Sequence, residues 1–591
     1  MARRLAITAL LMSCALVWAV SPARAAEDIL KLVPDSALGF VVVNRPGNLD
    51  AKLQSLAREL QLPPLSALAI LKQRFKIQEG FDEHGTVGLI VLPPGLNVLP
   101  KENGFMMPMP PGILLISVTD YGKFFKPFQL GKPDGQGVAE FGVYGNRVQF
   151  YTRNIGGYAA IADGEQRDVL LNLKIAKKPA AVLAPWGKWL AGKDVAAVIL
   201  HPGLKLMATK GHEGLHNMQR IFEAQGGENA KMTTVAFDIY GHLLQSAEKE
   251  LATAGIALQL DKQNVLRLTK RLLLVPDGQL AKLVAEWHPP TQKLLTDLPN
   301  EPFVAAGGGA LSDGMYEQLT KLAFNMMKQM REVYGLSEEQ IKKLVKTQYQ
   351  IQAMKGTRSI SMLFGVPKSG QPMFSHTVMV MRVKDAQAYL KDYGQSIAKY
   401  NEIVKAAKSP MLPAIAAKPA KLDDTPAFQV TITMPQAASQ PPHAAKAIEA
   451  MYGPGGKLVG WLVPANQETV VFGYVDKSHV QETIESIRKG KPGLAGNAGV
   501  AKTAALLPSH AVMVADVSPA GVIAFVTRMA AAVVPPEVGL HLKLPEFPKT
   551  QPIGMAVTTG PNELQSCVVV PPEVMKGIAQ YAAKIRAERG E

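Results

Sequence analysis

Short apolar runs, each introduced by a Pro and followed by a segment of helical period, recur along the chain. VPDSALGFVVV (33–43), LPNEPFVAAGG (298–308) and LPSHAVMVADV (507–517) share this form. The Pro ends whatever precedes it, because it lacks an N–H and restricts the residue before it. The apolar run then reads as a strand. A turn or capping residue opens an amphipathic helix, as in NLDAKLQSLARELQL, where Leu49, Leu53, Leu56 and Leu60 share one face.

The recurrence is collinear. Asp120 and Asp385 stand 265 residues apart at the ends of matching strands, as do Pro34 and Pro299 ahead of theirs. Asp163 and Asp476 match at a separation of 313. KDVAAVILHPGLKL (193–206) pairs with LPSHAVMVADVSPAG (507–521), and ALQLDKQNVLRLTKRLLLVPDGQLAKLVAEW (257–287) pairs with MAVTTGPNELQSCVVVPPEVMKGIAQYAAK (555–584). Compositional bias does not preserve order over so long a span. The pattern predicts an internal duplication: a signal segment over 1–25, a first half over 26–290 and a second over 291–591. The separation grows across an Ala/Lys/Pro-rich insertion around 396–458, expected as a surface excursion, part helical and part disordered. HLLQSAEKELATAG (242–255) has helical spacing and no counterpart in the second half.

Strands are expected near 37–43, 86–93, 113–118 and 137–144, in the order β-α-β-β-α-β. Hairpins are expected to turn at Gly145-Asn146 and over Lys262 to Asn264. The fold class that follows is α+β, with antiparallel sheets and helices packed on one face as ferredoxin-like units. The four matched acids fall where helix N-caps belong, and capping accounts for them without catalysis.

Composition supports a folded chain. The 591 residues are 47% hydrophobic and 19% charged, enough for a buried core; aromatics are only 6%, so Ala, Val, Leu and Met do most of the filling. The start, MARRLAITALLMSCALVWAVSPARAAED, has a basic step at Arg3 and Arg4, an uncharged run to Val20, and Ala23-Arg24-Ala25 as a small-x-small cleavage site. The expectation is an exported chain, periplasmic or extracellular, that is not transmembrane after cleavage. Cys14 leaves with the leader, so Cys567 stands without a partner and reads as a small buried hydrophobe within SCVVV. A net charge of +15 on an exported chain suits anionic envelope polymers or lipid headgroups. The basic stretches lack interleaved aromatics, so no nucleic-acid platform is indicated.

The sharpest chemical motif is HEGLH (212–216). It fits H-E-x-x-H, in which His212 and His216, one helical turn apart, bind zinc and Glu213 polarises water. Gly211 and Gly214 weaken the presenting helix, and a third ligand would have to come from Glu223, Glu228 or a more distant carboxylate. The motif therefore stands as the low-ranked alternative of a zinc metallohydrolase beside a helix that carries two His by chance. FMMPMPPG (105–112) reads as an apolar flap over a groove, or as clustered thioethers for Cu(I), beside ordinary packing; Met326 and Met330 of NMMKQM read as core. GGGALSDG (307–314) matches neither phosphate-loop pattern, and its small residues read as close helix–sheet contact. No cofactor is indicated.

ILKLVPDSALGFVVVNRPGNLDAKLQSLA after the leader resembles the opening of a group of exported bacterial proteins of unknown function, and ALQLDKQNVLRLTKRLLLVPDGQLAKLV is similar to their closing unit. The resemblance implies an exported α+β protein and brings no catalytic residue. The function expected is thus a non-catalytic binding or structural protein whose partner is an envelope component or another protein. A second alternative is a carrier of an apolar ligand held between the halves.

Overall fold

The computed structural model describes residues 28–64, 66–93, 112–142, 149–163, 167–225, 237, 240–241, 243–329, 335–349, 356–407, 412–433, 442–474, 476–533 and 544–589. The leader, the FMMPMPP stretch, the Gly145-Asn146 turn, Met330 and Glu228 lie outside these residues. The chain forms two compact units, Met1–Gly211 with Leu244–Leu273, and His212–Leu243 with Leu274–Glu591.

The first unit runs β1 (Gly39–Asn44), α1 (Pro46–Glu59), α2 (Ala67–Phe75), β2 (Thr86–Val91), β3 (Gly112–Ser117), α3 (Tyr121–Phe125), β4 (Gln129–Leu130), β5 (Val138–Gly142), β6 (Gln149–Ile155), β7 (Tyr158–Asp163), α4 (Arg167–Asn172), α5 (Trp186–Ala191), β8 (Val195–Ile199), α6 (His201–Gln225, its first half here), β9 (Leu251–Leu260) and β10 (Leu266–Leu274). All the strand pairings with a defined register are antiparallel, and they place the strands in the order β4-β5-β6-β7-β3-β2-β1-β8-β9-β10.

The second unit runs α7 (Gln279–Ala285), β11 (Phe303–Ala310), α8 (Asp313–Gln329), α9 (Glu338–Tyr349), β12 (Ser359–Gly365), β13 (Thr377–Arg382), α10 (Ala386–Ala407), β14 (Ala414–Leu422), β15 (Thr425–Thr433), α11 (Pro442–Tyr452), β16 (Lys457–Asn466), β17 (Thr469–Tyr474), α12 (Lys477–Arg488), α13 (Ala498–Ala504), β18 (Met513–Val517), α14 (Pro519–Val533), β19 (Ile553–Gly560), β20 (Glu563–Val570) and α15 (Pro572–Arg589). Its antiparallel pairings give β14-β15-β16-β17-β13-β12-β11-β18-β19-β20, the same order strand for strand. The mixed α and β content and the antiparallel pairing expected from the hydrophobic pattern are present.

Two finer expectations give way. The element order β-α-β-β-α-β is present, but the pairing is not ferredoxin-like. β1 lies directly beside β2, with Phe40 opposite Ile90. A ferredoxin-like unit would place the third strand between them. Two helices, α1 and α2, join β1 to β2 and return the chain antiparallel to its neighbour.

Nor do the helices keep to one face. Successive strand residues point to opposite sides. On β17, Val471 packs with Val480 and Ile484 of α12, whereas Val470 and Phe472 pack with Tyr389 and Leu390 of α10. On β1, Val43 meets Leu49 and Leu68 from α1 and α2, while Phe40 and Val42 belong with Trp186 and Leu190 of α5. The strands are apolar on both sides, and each side needs a cover.

The insertion is also more ordered than its composition suggests. Residues 414–433 form the hairpin β14–β15, with nine residue pairs in register from Ala414↔Thr433 to Leu422↔Thr425. AIAAKPAKL alternates, and its half-buried Ile415 and Ala417 pack against neighbouring apolar side chains. Among the described residues β14 pairs with β15 alone, and an edge strand tolerates Pro419 and the Lys residues, since a missing N–H is harmless there and charge discourages further pairing.

The capping expectation holds at three acids. Asp120 accepts from Lys123 N at 2.9 Å, Asp385 from Gln387 N at 2.9 Å and Ala388 N at 3.0 Å, and Asp476 from Ser478 N at 3.1 Å. The side chain of Asp163 lies outside the described set. The β9–β10 hairpin turns at Asp261 to Asn264, with Asn264 at φ 59°. Of HLLQSAEKELATAG, residues 243–250 are helical and Leu251 already begins β9. Cys567 is a free, buried thiol on β20. Among the described residues no helix is long and apolar enough to cross a membrane.

Candidate functional site

HEGLH lies within α6, as the motif requires, and His212, Glu213 and His216 are all exposed there. His212 lies alongside Gly241. The side chain of Glu223 lies outside the described set. Among the described residues, the group of three or more ligating side chains close enough to hold one metal ion lies elsewhere and includes none of these three.

Two other places draw attention. The first is a groove of about 530 Å³ in the first unit. Its floor is the β1–β8–β9 face carrying Val41, Ala197, Ile199 and Ile256, and one wall is the first turns of α6 with Leu206 and Met207. Every lining residue is apolar except Lys270, which is exposed. Large apolar side chains face solvent here: Met207 is 58% exposed and Ile256 42%. Leaving such area wet costs roughly 25 cal/mol per Å². The volume falls in the usual range for small-molecule sites, which are concave, apolar and sparsely polar. The hollow follows from sequence. Gly203 lets α6 sit directly on β1, since a Cβ there would lie 2.1 Å from Leu38 O. Gly39, Ala197 and Ala254 then leave the floor low.

The second place is in the second unit, where Glu301, His376 and His479 come together. Glu301 lies in the Pro-bounded step just before β11. His376 immediately precedes β13. His479 lies in the first turn of α12, a helix capped by Asp476. Because β13 pairs with β17 and β17 leads into α12, the two His rings face each other with centroids 4.8 Å apart. Both His are at least 95% buried.

The Glu301 carboxylate sits between them. Its Oε1 is 3.2 Å from His479 Nε2 and its Oε2 is 3.5 Å from His376 Nδ1. His376 Nε2 is 3.1 Å from Gln371 Oε1 and 3.8 Å from Asp476 Oδ2. Gln371 also reaches Asp476 through its Nε2 at 3.5 Å, which fixes the amide orientation. Gly365 completes the wall: a Cβ there would stand 2.8 Å from Glu301 Oε1. Burial pushes the Glu301 carboxyl up, while the two adjacent imidazoles pull it down, and the balance lies below its ordinary value. Burial likewise pushes Asp476 up, and the donors of Ser478, His479 N and Gln371 bring it below its ordinary range.

Local spacing does not mark this triad, whose members lie far apart in sequence. The available signals were a Glu where the first half has Ser36, and two buried-context His at the starts of repeated elements, one of them three residues after a matched acid.

No protein-family model, curated protein or solved structure matches the chain.

Proposed function

We propose that the protein is an exported, non-catalytic binding protein of the cell envelope, built from two descendants of one duplicated block, and that its first unit carries an apolar molecule bearing an acidic head. One observation carries this reading: the open groove lined by Val41, Ala197, Ile199, Met207 and Ile256, with Lys270 as its one charged lining residue. An apolar body would recover the exposed Met207 and Ile256 area, and Lys270 would meet a negative head without being buried. The net charge of +15 favours acidic ligands over basic ones. This differs from a carrier closed by the 105–112 flap between halves, because the groove is contained within one unit.

The test uses 1-anilinonaphthalene-8-sulfonate, an apolar fluorophore with an anionic group. The folded full-length chain should bind one equivalent, and a long-chain fatty acid should displace it. Replacing Met207→Phe together with Val91→Phe should weaken binding at least tenfold with the fold intact. Binding unaffected by that replacement would remove the groove as the ligand site.

A further inference from the structure

We propose that Glu301, His376 and His479 hold one divalent transition-metal ion of the zinc class, and that the ion clips three segments of the second unit together. The first reason is unpaired polarity. Glu301 Oε1 and His479 Nε2 are both buried and 3.2 Å apart, and among the described residues neither makes a well-aligned hydrogen bond. Buried polar atoms are almost always paired, so two unpaired atoms this close call for a partner that they share.

The second reason is the tautomer of His376. Gln371 Oε1 can only accept, because Gln371 Nε2 is turned to Asp476. The proton of a neutral His376 therefore sits on Nε2, and its Nδ1 presents a lone pair to Glu301 Oε2 at 3.5 Å. A carboxylate facing an unprotonated ring nitrogen is repulsive without a cation, and a shared ion resolves that contact. The Gln371 bond to the distal ring nitrogen is the usual outer support of a metal-bound imidazole.

The third reason is distance. Ligands on one zinc at about 2.0–2.1 Å stand a little over 3 Å apart. The three ligating atoms already lie within 4.8 Å of one another. Two imidazoles and a carboxylate suit zinc and its neighbours better than calcium or magnesium, which prefer all-oxygen shells. The three donors come from the approach to β11, the approach to β13 and the start of α12, so one ion would fasten segments far apart in sequence. This site is separate from the groove of the first unit, and either can fail without the other.

Zinc loading of the full chain, followed by gel filtration and elemental analysis, should give one zinc per chain and a rise in melting temperature that a chelator reverses. Glu301→Gln and His479→Gln should each weaken zinc binding more than about 100-fold, and Gln371→Ala, a positioning change, by roughly 10- to 100-fold. The double change His212→Ala with His216→Ala should leave both stoichiometry and affinity unchanged. Should a ligand variant fail to fold, X-ray absorption at the zinc edge of the wild-type chain and of the His212/His216 variant decides: both should show two imidazoles and an oxygen. A chain that retains no zinc, a sulfur shell, or loss of the ion in the His212/His216 variant would overturn the assignment.

Discussion

The same corner of the strand order is hollow in the first unit and filled in the second. Gly39 lies opposite Val91 and Ile199. Ala305, in the corresponding register, lies opposite Phe364 and Val517. Eight residues beyond Ile199 is Met207; eight beyond Val517 is Phe525. Val91 and Met207 line the groove, whereas Phe364 and Phe525 meet edge to face with centroids 5.1 Å apart. Phe374 lies tilted beside Phe364 at 5.4 Å, and Tyr452 of α11 stacks on Phe374 at 5.3 Å. An unchanged strand order thus accompanies an open hollow in one unit and an aromatic corner in the other. The ligating triad shows the reverse division, present in the second unit, with Ser36 at the place of Glu301.

The largest effects should come where the two units agree. Gly203 and Gly521 each open a helix lying against the start of a strand. A Cβ would stand 2.1 Å from Leu38 O at one and 2.0 Å from Phe303 O at the other. Backbone cannot yield as a side-chain tip can. Gly203→Ala and Gly521→Ala should each cost on the order of 4–5 kcal/mol, or unfold their unit, measured by chemical denaturation. A loss below 1 kcal/mol at one site only would break the equivalence.

A second test exploits a difference. Val198 lies opposite Phe40, and Asp516 holds the matching place opposite Ala306. Asp516 is buried, its Oδ1 lacks a partner, and burial pushes its carboxyl up to about 7. The folded value lies above the unfolded one, so the neutral acid is tolerated below about pH 4. Stability is then lost as pH rises from there through about 7. The loss amounts to roughly 3–4 kcal/mol by pH 8. Asp516→Val should make the second unit more stable at pH 8 than the parent, with little gain at pH 4. Denaturation curves at the two pH values measure this, and equal midpoints for parent and variant at pH 8 would refute it.

A smaller effect follows from exchanging the groove residues. Phe364→Val with Phe525→Met should cost about 2 kcal/mol and open a hollow in the second unit. A second equivalent of anilinonaphthalene sulfonate should then bind. If stability falls without new binding, volume at these two places does not decide between hollow and packed corner.

Much of this architecture was legible from the chain. The Pro-led apolar runs marked β1, β11 and β18, because a helix breaker followed by a run apolar on successive positions has few other readings. The matched acids marked helix starts. The strand pairing was not legible, since antiparallel β1–β2 contact depends on two intervening helices and not on local pattern. The β14–β15 hairpin was hidden by Ala and Lys, which are poor strand formers that an edge accepts. HEGLH drew notice because its spacing is local. Glu301, His376 and His479 did not, because β11, β13 and α12 meet only after the sheet has formed.

The smallest difference lies among the caps. Asp120 and Asp385 occupy matched places and do the same work, each accepting N–H groups at a helix start. Removing either by substitution with Ala should cost about 1 kcal/mol. Asp476 does more. Its Oδ1 caps α12 through Ser478 N, while its Oδ2 receives Gln371 Nε2 and stands 3.8 Å from His376 Nε2. Asp476→Asn should keep most of the cap, since Asn also accepts there, yet it places an uncharged amide beside Gln371 and loosens the support of His376. Its stability loss should therefore stay near 1 kcal/mol or less while zinc affinity falls by roughly tenfold. Asp385→Asn, the control at a cap with no His beside it, should leave zinc affinity unchanged. If both Asn variants leave zinc affinity unchanged, the matched acids are caps and nothing else.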